Sequence, residues 1–299
     1  MDNVVIETNA LTKAYKNTIA INNISLSVTR GTVVGLLGKN GAGKTTLNKL
    51  ITGLIFPTHG SIKVFDTIPK GGEKRLGFLS ENIALYPNLT ARENLEIVFL
   101  QEGVLPKREQ ISQILKTVSI KDTKKKVRDF SLGMKRRLQI AMTVLANERE
   151  LFILDEPTNG LDVDGVFWLK ELINNLKYQG KTILLSSHSI LELEDILTDY
   201  LIFNKGRISD KGRLDKINGK VLHIEILAND IDRARAFLEK NGFLFRVDGS
   251  TMSITIQDNY KSLLKVLYEE GIFPISYYIN KKSLVDKFHQ FAGDNNDDK

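Results

Sequence analysis

Cysteine is absent from all 299 residues, which excludes disulfides and thiolate metal sites. Long apolar runs are missing too. No stretch approaches the roughly 18 consecutive apolar residues of a membrane-spanning helix, so the chain is not expected to cross a bilayer as a helix. The opening residues, Met1-Asp2-Asn3-Val4-Val5-Ile6, lack a charged start followed by an apolar core, and no signal peptide is expected there. Together these absences point to a cytosolic protein. The formal net charge is +6, yet the two basic clusters, residues 121–128 and Lys135-Arg136-Arg137, lack interleaved base-stacking aromatics. They read as solvated faces of helices and loops rather than as a nucleic-acid surface. Internal repeats, low-complexity segments and sustained heptads are also missing. Residues 292–299 are short and polar, acidic toward the end, and are expected to form a disordered tail.

What is present is ordinary in composition and ordered in pattern. With 42% hydrophobic and 26% charged residues, the chain matches a globular protein long enough for a second small domain. Residues 4–8 and 24–29 alternate like strands. The runs 32–37, 151–154 and 182–185 read as strands buried on both faces. Residues 44–54 predict a helix, and 90–150 are mostly helical in pattern. Phe167, Leu169, Leu172, Ile173 and Leu176 suggest an amphipathic helix ending near Gly180. Buried strands alternating with helices indicate a parallel α/β sheet carrying a helical insertion. Beyond about residue 219 the order becomes strand 220–227, helix 231–240, strands 243–247 and 252–256, helix 260–269 and strand 272–279. That βαββαβ order is the ferredoxin-like plan, followed by a short helix over 283–291.

The strongest chemical signal is Gly38-Lys39-Asn40-Gly41-Ala42-Gly43-Lys44-Thr45-Thr46. It matches G-x-x-x-x-G-K-[ST] and falls between a buried strand and a helix, the context in which its backbone N–H groups can surround phosphate oxygens. Lys44 would neutralise β/γ-phosphate charge and the Thr45 hydroxyl would bind Mg²⁺. Kinases, GTPases, helicases and transporters all use such a loop. The apolar run Leu151-Phe152-Ile153-Leu154 ends in Asp155-Glu156, 111 positions after Lys44. Asp155 is a candidate to hold Mg²⁺, and Glu156 to polarise an attacking water.

Residues 1 to about 215 resemble the ABC ATPase family. Phe130-Ser131-Leu132-Gly133-Met134 corresponds to its Leu-Ser-Gly-Gly-Gln signature, keeping the serine and one glycine. The resemblance implies that Ser131 and Gly133 grip the γ-phosphate on an opposite subunit. It makes Asn159-Gly160-Leu161-Asp162 the loop that links two sites across a dimer, with Asp162 near nucleotide. His188 in Ser186-Ser187-His188 becomes the switch histidine, and Tyr15 the aromatic stacked on adenine. Glu81 stands where most members have a glutamine that reaches Mg²⁺. This glutamate, the form Phe-Ser-Leu-Gly-Met-Lys, and the ending Lys282-Ser283-Leu284-Val285-Asp286-Lys287-Phe288 are similar to bacitracin-resistance, lantibiotic-immunity and drug exporters.

The implied architecture is a P-loop cassette over residues 1–215, with an antiparallel β-subdomain and a helical subdomain at about 82–150. A βαββαβ accessory domain over 220–291 follows. The implied activity is ATP hydrolysis with Mg²⁺, energising a polytopic permease on a separate chain that exports a peptide antibiotic or drug. A second ATPase subunit is expected, a homodimer before a heterodimer, attached peripherally to the inner face of the cell membrane without direct nucleic-acid contact. The alternative is a soluble ABC ATPase acting on nucleic acid or ribosomes. Such proteins usually carry long coiled coils, zinc-binding cysteines or two cassettes, which this sequence lacks. A switch without turnover is disfavoured by the presence of Lys44, Asp155, Glu156 and His188.

Overall fold

Apolar alternation begins at Val4 but breaks where two long strands bulge. In the computed structural model β1 (Val4–Tyr15) and β2 (Thr18–Thr29) pair antiparallel, with register shifts between Thr8 and Leu11. Ala10 and Asn23 take positive φ at these irregularities. Each bulge adds a residue and reverses the parity of buried positions. Thr8 and Leu11 are therefore both buried, as are Ile21 and Ile24. This is why the alternation suggests strands only over 4–8 and 24–29, whereas the real strands run on to the turn at Lys16. The third strand of this sheet is β4 (His59–Val64), in the order β2-β1-β4.

The structure describes residues 3–80, 84–144, 149–187, 192–217, 219–256 and 260–292, in two compact units, Met1–Gly212 and Arg213–Lys299. Among them, no helix is long and apolar enough to cross a membrane.

The centre of the first unit is a six-stranded sheet. It contains β3 (Val33–Leu37), β5 (Leu76–Leu79), β6 (Leu151–Asp155), β7 (Thr182–Ser187), β8 (Asp199–Asn204) and β9 (Arg207–Arg213), in the order β5-β6-β7-β3-β8-β9. The pairs from β5 through β8 are parallel. β3, β6 and β7 are buried at every position, matching their unbroken apolar runs. Helix α1 (Lys44–Ile51) packs Leu47, Leu50 and Ile51 into a core shared with Ile6, Ile62, Ile153 and Phe203. It ends three residues before the expected 54, with Gly53 at φ +69 just past its end.

A helical layer joins α2 (Ala91–Gln101), α3 (Arg108–Thr117) and α4 (Leu132–Val144) around Leu95, Phe99, Ile111, Leu115 and Leu138. A capping box between Thr90 and Glu93 starts α2. Helix α5 (Val163–Tyr178) buries Leu169, Leu172, Ile173 and Leu176. Phe167, expected on that face, is 63% exposed. Lying two residues before Leu169, it sits about 200° round the helix from it.

The second unit contains β10 (Lys220–Glu225), α6 (Ile231–Lys240), β11 (Phe245–Asp248), β12 (Thr251–Ile256), α7 (Tyr260–Glu269), β13 (Ser276–Lys281) and α8 (Leu284–Ala292). Its antiparallel sheet has the order β11-β12-β10-β13. The core consists of its own residues, among them Leu222, Ile224, Leu238, Met252, Ile254 and Leu267. The last strand starts at Ser276 rather than at 272. Pro274 has no N–H for the ladder, and Ile272 is spent in the core instead. The expected tail lies, from residue 293 on, outside the described residues.

Candidate functional site

The glycine-rich loop leaves β3 and enters α1, wrapping a cavity of about 390 Å³ lined by Ala20, residues 39–46, Glu156 and Asn159. Gly43 caps α1 at φ +111, and a Cβ there would lie 2.6 Å from the Ala20 carbonyl. Only glycine fits that conformation at that approach. As cap it offers no side chain to the first helical N–H groups, which leaves these donors for a ligand. Gly38 is buried at the start of the loop, behind the cavity lining.

Lys44 is only 7% exposed. Its Nζ donates to the Gly38 carbonyl, and to that of Lys39 at 3.4 Å. Burial pushes the ammonium below the usual lysine value, while the carboxylates of Glu156 and Asp155 act the other way. The ammonium is thus held by its own loop, close to where an anion would lie. Thr45, on the same turn, is exposed toward the cavity.

Asp155 ends β6 and is buried. Its Oδ1 accepts from Ser186 Oγ on β7, and that hydroxyl accepts from Asn48 Nδ2 on α1 at 3.1 Å. The chain of bonds ties the helix after the loop to the neighbouring strands β6 and β7. Asn48 Oδ1 is buried and has no hydrogen-bond partner, which leaves one acceptor of this residue unused. Glu156 leaves the strand at φ +48, a backbone conformation costing an L-residue roughly 1–2 kcal/mol. It is held there by its N–H donating to the Ser186 carbonyl at 2.9 Å and by Asn159 N donating to its carbonyl at 3.2 Å.

Ser131 caps α4, its Oγ accepting from Met134 N at 3.2 Å. Gly133 abuts the next loop, and a Cβ on it would lie 3.2 Å from the Gly160 carbonyl. Gly160 needs its own freedom, at φ +81 with Leu132 against it. Asp162 caps α5 by accepting from Gly165 N at 2.8 Å and lies 3.7 Å from Arg137. Ser131, Gly133, Asp162 and Tyr15 are not among the described residues that line the cavity. Tyr15 ends β1, 46% exposed, with Lys13 Nζ 5.1 Å from its ring centroid.

A family model described as ABC transporter matches residues 21–159. The bacitracin transport ATP-binding protein BcrA of Bacillus licheniformis is 35% identical over 302 residues, covering 97% of each chain. The chain belongs to the ABC transporter ATP-binding family. The lantibiotic transport ATP-binding protein SrtF of Streptococcus pyogenes is 40% identical over 64% of this chain and 83% of its own length. A solved ATP-binding subunit of an ABC transporter is 30% identical, with TM-score 0.64 over 71% of this chain and 91% of that one.

This ABC ATPase binds and hydrolyses ATP as the ATP-binding subunit of a transporter. Its fold gathers the loop 39–46 and Glu156 around one cavity, with Asp155 buried at the end of the same strand. Two expected residues, Glu81 and His188, lie outside the described residues. Two cavity residues were missed in the sequence. Asn159 is visible within the loop motif of the family, which by itself does not place it in this cavity. Ala20 carries no chemical signal, and only tertiary packing sets its carbonyl against Gly43 of the glycine loop.

Proposed function

We propose that this ATPase subunit energises the export of a peptide antibiotic or drug through a separate polytopic permease, at the inner face of the cell membrane. The observation that carries this reading is the likeness to a bacitracin transport ATP-binding protein along nearly the entire chain, including the second unit. ATP phosphates would accept from the N–H groups of residues 39–46 and draw Lys44 Nζ from the carbonyls that now hold it. Mg²⁺ fits the donors present, since the Thr45 hydroxyl and Asp155 carboxylate are hard oxygens and the ion keeps several waters. When bound it would neutralise charge on the phosphates; Glu81 would be a further ligand. Glu156 would take the proton of a water attacking the γ-phosphorus in line, breaking the bond to the ADP oxygen. His188 would contact the γ-phosphate, and Tyr15 the adenine.

The complete site requires a second ATPase subunit, by preference an identical copy, whose Ser131 and Gly133 would cover the γ-phosphate and whose Asp162 would approach the same nucleotide. We assign residues 1–215 to the cassette and 220–291 to a ferredoxin-like accessory domain. Its strand order β11-β12-β10-β13 supports that plan, with the first and third strands central.

Affinity purification from membranes tests the function. A polytopic partner is expected to co-purify and to raise ATP turnover, whereas ribosomes or DNA in its place would overturn the transport reading. A second expectation concerns the module. Deleting residues 220–299 should leave a soluble protein with ATP affinity largely unchanged, because the removed segment has its own core. An insoluble product would show that the cassette depends on it.

A further inference from the structure

Arg136 lies on the second turn of α4 and is only 4% exposed. A buried guanidinium must have its charge compensated, and here main-chain carbonyls contribute to that. Nη2 donates to the Asp155 carbonyl at 2.9 Å and to that of Glu156 at 2.6 Å, and Nε donates to that of Pro157 at 3.4 Å. Nη1 donates to Gln139 Oε1 at 3.3 Å, one turn along the same helix. One planar fork thus gathers three successive carbonyls where the chain turns out of β6. Glu156 is the residue of positive φ within that run. Its N–H is bound to the Ser186 carbonyl of β7, so β7 and α4 both hold the peptides that flank it.

We propose that Arg136 is a positioning residue for hydrolysis, setting the backbone turn that aims the Glu156 carboxylate into the loop cavity. The inference rests on the reading of Glu156 as the base. It adds a physical link, since Ser131 and Gly133 occupy the start of the same helix, within about one and a half turns of Arg136. Engagement of that helix end by a phosphate would act on the carbonyls of residues 155–157 through a rigid element. A lysine at 136 would keep the charge but lose the fork.

The test measures ATP turnover of the full chain with Arg136→Gln and Arg136→Lys, each also combined with Glu156→Gln. Both single variants are expected to lose about tenfold to hundredfold in kcat, the scale of a misplaced catalytic group, with KM for ATP changed less than about twofold. In the Glu156→Gln background the same changes should alter the residual rate by less than about twofold, because the carboxylate they aim is gone. Methylguanidine should restore part of the rate of Arg136→Gln. Arg136→Lys, which preserves charge and helix, decides the matter should the glutamine variant not fold. An unchanged kcat, a defect confined to KM, or a loss of equal size in both backgrounds would overturn the proposal. Failure of the parent reading is separately visible, as wild-type turnover in Glu156→Gln alone.

Discussion

Glu156→Gln should lower ATP turnover by at least about a hundredfold, the usual contribution of a positioned general base, and hold the protein as an ATP-loaded dimer. The loop cavity, lined by Ala20, residues 39–46, Glu156 and Asn159, would cover a nucleotide on one side only. Ser131 and Gly133 sit elsewhere in the same chain, at the helix start beside Gly160. A second subunit that brings them to the γ-phosphate makes the nucleotide part of the interface. ATP then favours association, and hydrolysis releases it. Glutamine keeps the side-chain shape but takes no proton, so the closed state persists. Light scattering coupled to size exclusion should find monomer without nucleotide and dimer with ATP. Adding Ser131→Arg should abolish the shift by placing bulk and charge in the contact. A Glu156→Gln protein that stays monomeric at saturating ATP would rule out the homodimer and indicate a different second ATPase subunit.

Lys44→Ala should abolish turnover and weaken ATP binding by about a hundredfold or more, since a desolvated cation on phosphate makes a strong, charge-assisted contact. The nucleotide-free protein should remain folded. Burial already works against the ammonium, and its loss removes a desolvated charge at the cost of one donor to the Gly38 carbonyl. The discriminating measurement is thermal. A ligand at 100 times its Kd stabilises the native state by about 2.7 kcal/mol, which for a unit of this size raises Tm by roughly 5–11 °C. ATP should produce such a rise in the wild type and almost none in the variant. An unchanged rise, or unchanged turnover, would refute the phosphate assignment of the loop.

Not all of the molecule was equally legible. The buried strands β3, β6 and β7 are legible in unbroken apolar runs, and the helices read over 231–240 and 260–269 coincide with α6 and α7. Alternation makes the first two strands look too short, because bulges at Ala10 and Asn23 reverse it partway along each strand. Phe167 falls in with the amphipathic pattern yet is exposed, because spacing alone does not separate a helix flank from its buried stripe. The apolar run suggests a last strand from 272, whereas β13 begins at Ser276, because Ile272 is apolar for a different reason, its place in the core before Pro274.

The amino-acid sequence by itself determined the glycine-rich loop and the carboxylates ending β6, because each is a contiguous run whose local geometry supplies the donors or acceptors. The tertiary structure alone decided that Asn48, Ser186 and Asp155 share one chain of hydrogen bonds, although Asn48 and Ser186 stand 138 positions apart. It alone set Ala20 in the cavity lining and turned Arg136, within what reads as a solvated basic cluster, onto the carbonyls beside Glu156. Long-range neighbours follow from strand order and helix packing, and a side chain's identity carries no record of which distant backbone it will meet.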